Sequence, residues 1–147
     1  MVANELVTKT VTILVVEDDD LDFKAFQRAL KEVRLANPVV RATDGLEALE
    51  ILRGENGHEK INRPYMIMLD LSMPRMGGLE FLDEIRIDPD LTGSIVFVLT
   101  SSASDYDVTE AYKRHIAGYI TKGSPENGIE EAIKMIDHFW RVVEFPG

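Results

Sequence analysis

The stretch Tyr65-Met66-Ile67-Met68-Leu69-Asp70-Leu71-Ser72-Met73-Pro74 decides the fold. An apolar run of strand length leads straight into one acid, and turn residues follow at Pro74 and at Gly77-Gly78. A run that is apolar at every position suits a strand buried on both faces, as in a parallel sheet covered by helices. The acid then falls just past the strand's C-terminal end. That is the crevice where open α/β sheets keep their ligands.

Outward from this run, the same alternation repeats. Val11 to Val16 is another buried-strand run. A helix follows from Asp19 to Leu35, with Phe23, Phe26, Leu30 and Val33 at helical spacing and Asp19 or Asp20 as its cap. After Asn37-Pro38 come a short strand, Val39 to Ala42, and a helix, Gly45 to Arg53, with Leu46, Leu49 and Leu52 on one face. The polar segment Gly54 to Asn62 is longer than most helix-to-strand connections. Past the central strand lie a helix from Gly78 to Arg86 with Leu79, Leu82 and Ile85, and a strand from Ser94 to Leu99. A fourth helix, Asp105 to His115, is capped by Ser104 or Asp105, and a brief fifth strand spans Tyr119 to Thr121. Ser124-Pro125 opens the last helix, whose stripe is Ile129, Ala132, Ile133, Ile136 and Trp140. Five strand–helix units predict one α/β domain, a doubly wound five-stranded parallel sheet with five helices on its two faces. The order 2-1-3-4-5 leads, and periodicity leaves other doubly wound orders open.

Composition sets bounds on function. A chain of 147 residues makes one domain with a real core, and 45% hydrophobic against 29% charged residues marks it as globular. No apolar run approaches the ~20 residues of a membrane helix. Met1 to Thr10 has no basic start followed by an apolar stretch, so the expected location is cytoplasmic. Without cysteine there is no disulfide framework and no thiolate metal site. Sixteen basic against 26 acidic residues give a formal charge of −10. That argues against a nucleic-acid-binding surface and for attraction to cations and basic partner surfaces.

The acids that matter cluster. The first strand ends in Glu17-Asp18-Asp19-Asp20, the third in Asp70 and the fourth in Thr100, and the fifth leads into Lys122. In a parallel sheet all of these fall at one edge. Alone, each has a plainer reading: a helix-capping run, a turn acid, a strand-ending threonine, a surface lysine. Together they put carboxylates, a hydroxyl and an ammonium in one crevice. Crowded carboxylates repel and call for a cation. Oxygen-only donors suit a hard ion such as Mg²⁺. A metal would screen an anionic nucleophile from an anionic phosphoryl donor. Phosphoryl transfer needs mainly positioning and charge stabilisation, so Asp70 reads as a phosphoryl acceptor.

In this order the motifs resemble the receiver domain of two-component response regulators, over nearly the whole chain. Val15-Val16-Glu17-Asp18-Asp19 matches the acidic-pair motif, and Asp70 to Gly78 matches the phosphoacceptor loop. Leu99-Thr100-Ser101-Ser102 matches the switch hydroxyl, and Gly118-Tyr119-Ile120-Thr121-Lys122 matches the aromatic switch and lysine. The resemblance implies the flavodoxin-like receiver fold, order 2-1-3-4-5, over residues 11–147. Residues 1–10 would be an N-terminal extension, with no output domain. It implies that Asp70 takes a phosphoryl group from a phosphohistidine on a sensor histidine kinase. Glu17, Asp18, Asp70 and the backbone carbonyl of Ser72 would bind Mg²⁺, and Lys122 would pair with the acyl phosphate. Thr100 would move to a phosphate oxygen while Tyr119 rotates inward. Such a protein is not a turnover enzyme. It signals by changing the surface formed by the fourth helix, fifth strand and last helix.

The run from His138 to Phe145, with the long Gly54–Asn62 loop, is similar to single-domain receivers that serve bacterial phytochrome kinases. Trp140, Val143 and Phe145 either cover the sheet edge or form a partner or homodimer surface. The resemblance favours a homodimer through that same face and the C-terminal helix.

Three features depart from the family pattern or bear on it. Gly123 stands where the family usually has a proline, which frees the loop after Lys122. Gly77-Gly78 stands where Asp-Gly is commoner. Ser72 and Ser102 flank the site at positions that influence dephosphorylation in the family. Two other readings compete. One is a receiver-like interaction and dimerisation module that works without phosphorylation, favoured only by Gly123. The other is a haloacid-dehalogenase-like phosphatase, which needs a second acid two residues after the nucleophile, where this chain has Ser72. A nucleotide-binding enzyme lacks its Gly-x-Gly-x-x-Gly or P-loop after the first strand.

Overall fold

The computed structural model describes residues 10–123 and 128–142, apart from the side chains of 140–142. The expected helix opening at Ser124-Pro125, the covering or docking role of Trp140, Val143 and Phe145, and nearly all of the N-terminal extension lie outside the described residues. Within them the expected alternation is present. The strands are β1 (Thr12–Val16), β2 (Val39–Ala42), β3 (Tyr65–Leu69), β4 (Ile95–Thr100) and β5 (Gly118–Thr121). The helices are α1 (Asp20–Glu32), α2 (Gly45–Arg53), α3 (Gly78–Ile87), α4 (Asp105–Lys113) and α5 (Gly128–Val142). All pairings are parallel and the order is β2-β1-β3-β4-β5, as expected.

Alternation along each strand feeds two cores. Ile13, Val15, Met66, Met68, Phe97 and Leu99 pack under α1 and α5, against Phe26, Leu30, Ile133 and Ile136. Leu14, Val16, Ile67, Leu69, Val96 and Val98 pack under the other three helices, against Leu49, Leu52, Phe81, Leu82, Ile85 and Ala111. Each fully buried aliphatic or aromatic side chain contributes roughly 1.5–3 kcal/mol. Both faces of the central strands are therefore needed, which is why the Tyr65 to Leu69 run shows no polar position.

Helix boundaries and stripes differ from expectation in instructive places. Asp19 caps α1, its side chain accepting from the Asp22 N–H at 3.0 Å. The helix stops at Glu32 rather than Leu35, because Arg34 turns left-handed at φ 58°. Ser104, not Asp105, caps α4, and α4 ends at Lys113 before the left-handed His115. In α2 the buried stripe is Gly45, Ala48, Leu49 and Leu52, with Ile51 beside it, while Leu46 points outward. In α3 it is Gly78, Phe81, Leu82 and Ile85, with Leu79 only half-buried. Both stripes start on the opening glycine at i, i+3, i+4, i+7. A leucine one position later is thereby rotated toward the rim: Leu46 is exposed, and Leu79 packs against the core from its edge.

Candidate functional site

Hydrogen bonding of the sheet runs one residue past three strands. The Glu17 N–H donates to the Ala42 carbonyl at 2.9 Å, the Asp70 N–H to the Val16 carbonyl at 3.0 Å, and the Lys122 N–H to the Thr100 carbonyl at 2.8 Å. The backbones of Glu17, Asp70 and Lys122 are thus pinned to neighbouring strands as the chain leaves the sheet. Their side chains meet at its C-terminal edge.

Asp70 is 8% exposed. Its Oδ1 accepts from the fully buried Thr100 hydroxyl at 2.7 Å and from the Ser72 N–H at 3.2 Å. Its Oδ2 faces the Lys122 ammonium at 3.3 Å. The ammonium lies closer to two other acids, Glu17 Oε1 at 2.7 Å and Asp22 Oδ2 at 2.6 Å. Asp22, in the first turn of α1, is the site residue that sequence reasoning missed. Its place in an amphipathic repeat reads as solvent-facing, and only the tertiary register brings Lys122 to it from 100 residues away.

Burial penalises the Glu17 carboxylate, and the nearby Asp70 charge adds to this. The hydrogen bond from Lys122 only partly offsets them, and the Glu17 pKa is lifted to about 7. Burial acts against the Lys122 ammonium too. Its hydrogen bonds to Asp22 and Glu17, with the field of Asp70, outweigh that and raise it above the ordinary lysine value.

Glu17, Asp18 and Asp70 each offer a carboxylate oxygen, all within 4.8 Å of one another, with Asp18 at the solvent side. Together with Asp22 these acids outnumber the one ammonium, and the three clustered oxygen donors fit a hard divalent cation. Ser72 lies beside Asp70, joined to it through its N–H. The half-buried Tyr119 packs against the core and donates from its hydroxyl to the Ser102 carbonyl at 2.7 Å. The Ser102 hydroxyl in turn donates to Asp107 at 2.5 Å. Thr100 therefore already engages Asp70, and Tyr119 is tied to the loop after β4.

The freer loop expected after Lys122 has a definite conformation at its first residue. Gly123 adopts φ 61°. A proline, fixed near −65°, cannot take that turn. With this turn, Lys122 still reaches all three acids.

Comparison with known proteins agrees with the geometry. Residues 13–134 match the response regulator receiver domain. The chain belongs to that family. It is 35% identical over 128 residues to the response regulator Rcp1 of Synechocystis sp., covering 87% of each chain. Among solved structures it is similar to the phosphorylated cyanobacterial phytochrome response regulator RcpA, with TM-score 0.86 and 34% identity over 95% of this chain and 100% of that one. A Mn²⁺-bound form of Rcp1 superposes with TM-score 0.84 at 34% identity, covering 93% of this chain and 99% of that one. The response regulator RPA3017, in red light signalling of R. palustris, gives 0.82 at 29% identity, covering 93% and 99%. Among the described residues, no helix of this receiver is long and apolar enough to cross a membrane.

Proposed function

We propose that this receiver accepts a phosphoryl group on Asp70 from the phosphohistidine of a sensor histidine kinase and relays the change through the α4–β5–α5 surface. The observation that carries this reading is the grip on Asp70. A shielded carboxylate at a strand end has a hydroxyl on one oxygen, an ammonium by the other, and two further carboxylates within ligand distance.

Glu17, Asp18, Asp70 and the Ser72 carbonyl would hold the divalent ion, Mg²⁺ by the hardness of an all-oxygen set. When bound, it supplies positive charge that screens Asp70 from the incoming phosphoryl oxygens. An Asp70 carboxylate oxygen forms the new O–P bond as the donor's N–P bond breaks, and the imidazole nitrogen keeps that electron pair. Lys122 moves from its partner acids toward the acquired phosphoryl oxygens. Thr100, at the end of β4, moves to bond a phosphoryl oxygen, drawing on the loop to which the Tyr119 hydroxyl is tied, and Tyr119 rotates inward. The protein works as a phosphorylated signal, not as a turnover enzyme, and acts in the cytoplasm. The phytochrome response regulators among its relatives support a bacteriophytochrome-type kinase as the donor. The dimer expected through the α4–β5–α5 face belongs to the same proposal.

Beryllofluoride, a mimic of the acyl phosphate, tests this reading in the presence of Mg²⁺. Amide NMR signals of Thr100, Tyr119, α4 and β5 should shift in the wild type and stay in place in Asp70→Asn. A wild type with no shift would contradict the proposal.

A further inference from the structure

The loop after Asp70 is fastened at its far end to the turn that opens α2. Arg75 Nε donates to Asp44 Oδ2 at 2.6 Å, and the Gly45 N–H donates to the Met76 carbonyl at 3.1 Å. Asp44 is 3% exposed, and its Oδ1 accepts the Glu47 N–H at 2.9 Å as the cap of α2. The approach is close enough that a side chain at Gly45 would force its neighbours to shift. A Cβ there would lie 2.9 Å from Met76 Cγ and 3.0 Å from the Met76 carbonyl oxygen.

Arg75 itself holds φ 61°, a left-handed conformation that a non-glycine residue keeps only where its surroundings enforce it. Capping α2 needs one acceptor oxygen and no guanidinium, and asparagine would cap as well as aspartate. The ion pair, with Asp44 buried and the Arg75 side chain exposed, adds a tie from the cap to the loop after Asp70. The loop it holds begins with Asp70 and Ser72, whose N–H bonds Asp70 Oδ1. Pinned at one end by β3 and at the other by Asp44 and Gly45, the intervening backbone has little freedom to shift.

We infer that the Asp44–Arg75 pair is a latch that positions the phosphoacceptor loop, and through it the Ser72 backbone, for cation binding beside Asp70. This rests on the phosphoacceptor reading given above. Neither residue touches the ion or the phosphoryl group, so both are positioning residues.

Mn²⁺ serves as the probe, titrated into metal-free wild type, Asp44→Asn, Arg75→Gly and the double variant, with urea stability and amide exchange of residues 71–77 measured in parallel. Asparagine keeps the cap, and glycine suits the left-handed turn, so each variant is built to fold. Each single variant should weaken Mn²⁺ binding roughly tenfold. The double variant should bind no more weakly than either single, as expected for one shared interaction. Loop amides should exchange about tenfold faster, and Arg75→Lys should recover most of the affinity. Unchanged Mn²⁺ affinity in folded single variants, or losses that multiply in the double, would overturn the latch and leave the phosphoacceptor reading standing. A wild type that itself binds no Mn²⁺ would overturn both.

Discussion

At the C-terminal edge of the sheet, one ammonium, Lys122, faces Glu17, Asp22 and Asp70 within 3.3 Å. At the opposite edge the half-buried Arg86 donates to four backbone carbonyls, those of Arg114 (2.8 Å), Thr92 (2.7 Å), Ser94 (2.9 Å) and His115 (2.9 Å). Both edges bury a cation, and they satisfy it differently. Carbonyls are fixed dipoles that neither titrate nor leave, and Arg86 uses them to staple α3 to the starts of β4 and β5. Carboxylates carry full charge, and three of them share one ammonium; burial, with the Asp70 charge adding to it, lifts Glu17 to about 7. One edge is sealed. The other is left short of positive charge, a shortage that the divalent cation of the proposed function would fill.

The largest stability effect should come from the sealed edge. Arg86→Met leaves four carbonyls without their donor and should cost about 3 kcal/mol in urea unfolding. Arg86→Lys should recover only part of this, because an ammonium cannot reproduce the fork. A loss under about 1 kcal/mol would break the contrast between the edges.

At the charged edge the opposite sign is expected. In metal-free protein Glu17 binds its proton more tightly when folded than at its ordinary value of 4.5. Its contribution therefore falls as pH rises from 4.5 to about 7 and stays low above that. Glu17→Gln should remove this slope. At pH 8 it should raise stability by roughly 2 kcal/mol, allowing for the lost bond to Lys122, while weakening Mn²⁺ binding. Equal pH slopes in variant and wild type would contradict the raised Glu17 pKa.

Thr100→Val keeps the shape of a fully buried side chain and deletes its bond to Asp70. It should cost about 1 kcal/mol, yet abolish the beryllofluoride-induced shifts at Tyr119. The smallest effect sits at the mouth of the phosphoacceptor loop. Gly77 caps α3 with no side-chain hydrogen bond. Gly77→Asp should add a few tenths of a kcal/mol, read as a small rise in urea midpoint.

What was legible in the sequence follows the physics. The strands, their order by family resemblance, and the convergence of Glu17, Asp18, Asp70, Thr100 and Lys122 could be read, because each residue sits at the end of an apolar run. Leu49 and Leu52 in α2 and Leu82 and Ile85 in α3 were read as core and are buried, but Gly45 and Gly78, which bury a backbone and carry no hydrophobic signal, were passed over. Leu46 was credited with burial and is exposed, Leu79 packs against the core only half-buried, and Phe81 was missed. Asp22, the Asp44–Arg75 pair and the Arg86 staple stayed hidden for another reason. Their partners lie beyond one helical turn, from 6 residues away for Arg86 to 100 for Asp22, and a charged residue reads as surface until the tertiary register supplies its partner. Gly123 was read as a lost constraint. Its left-handed turn shows a conformation that the usual proline could not adopt.

The measurement that bears most directly on the central claim is the location of a phosphoryl group after incubation with acetyl phosphate. Intact mass with and without Mg²⁺ detects the adduct, and borohydride reduction of the acyl phosphate marks the modified residue for peptide mapping. The account predicts a Mg²⁺-dependent adduct on Asp70 that is absent from Asp70→Asn. An adduct on another side chain, or a wild type that takes up neither acetyl phosphate nor beryllofluoride with Mg²⁺ present, would contradict it.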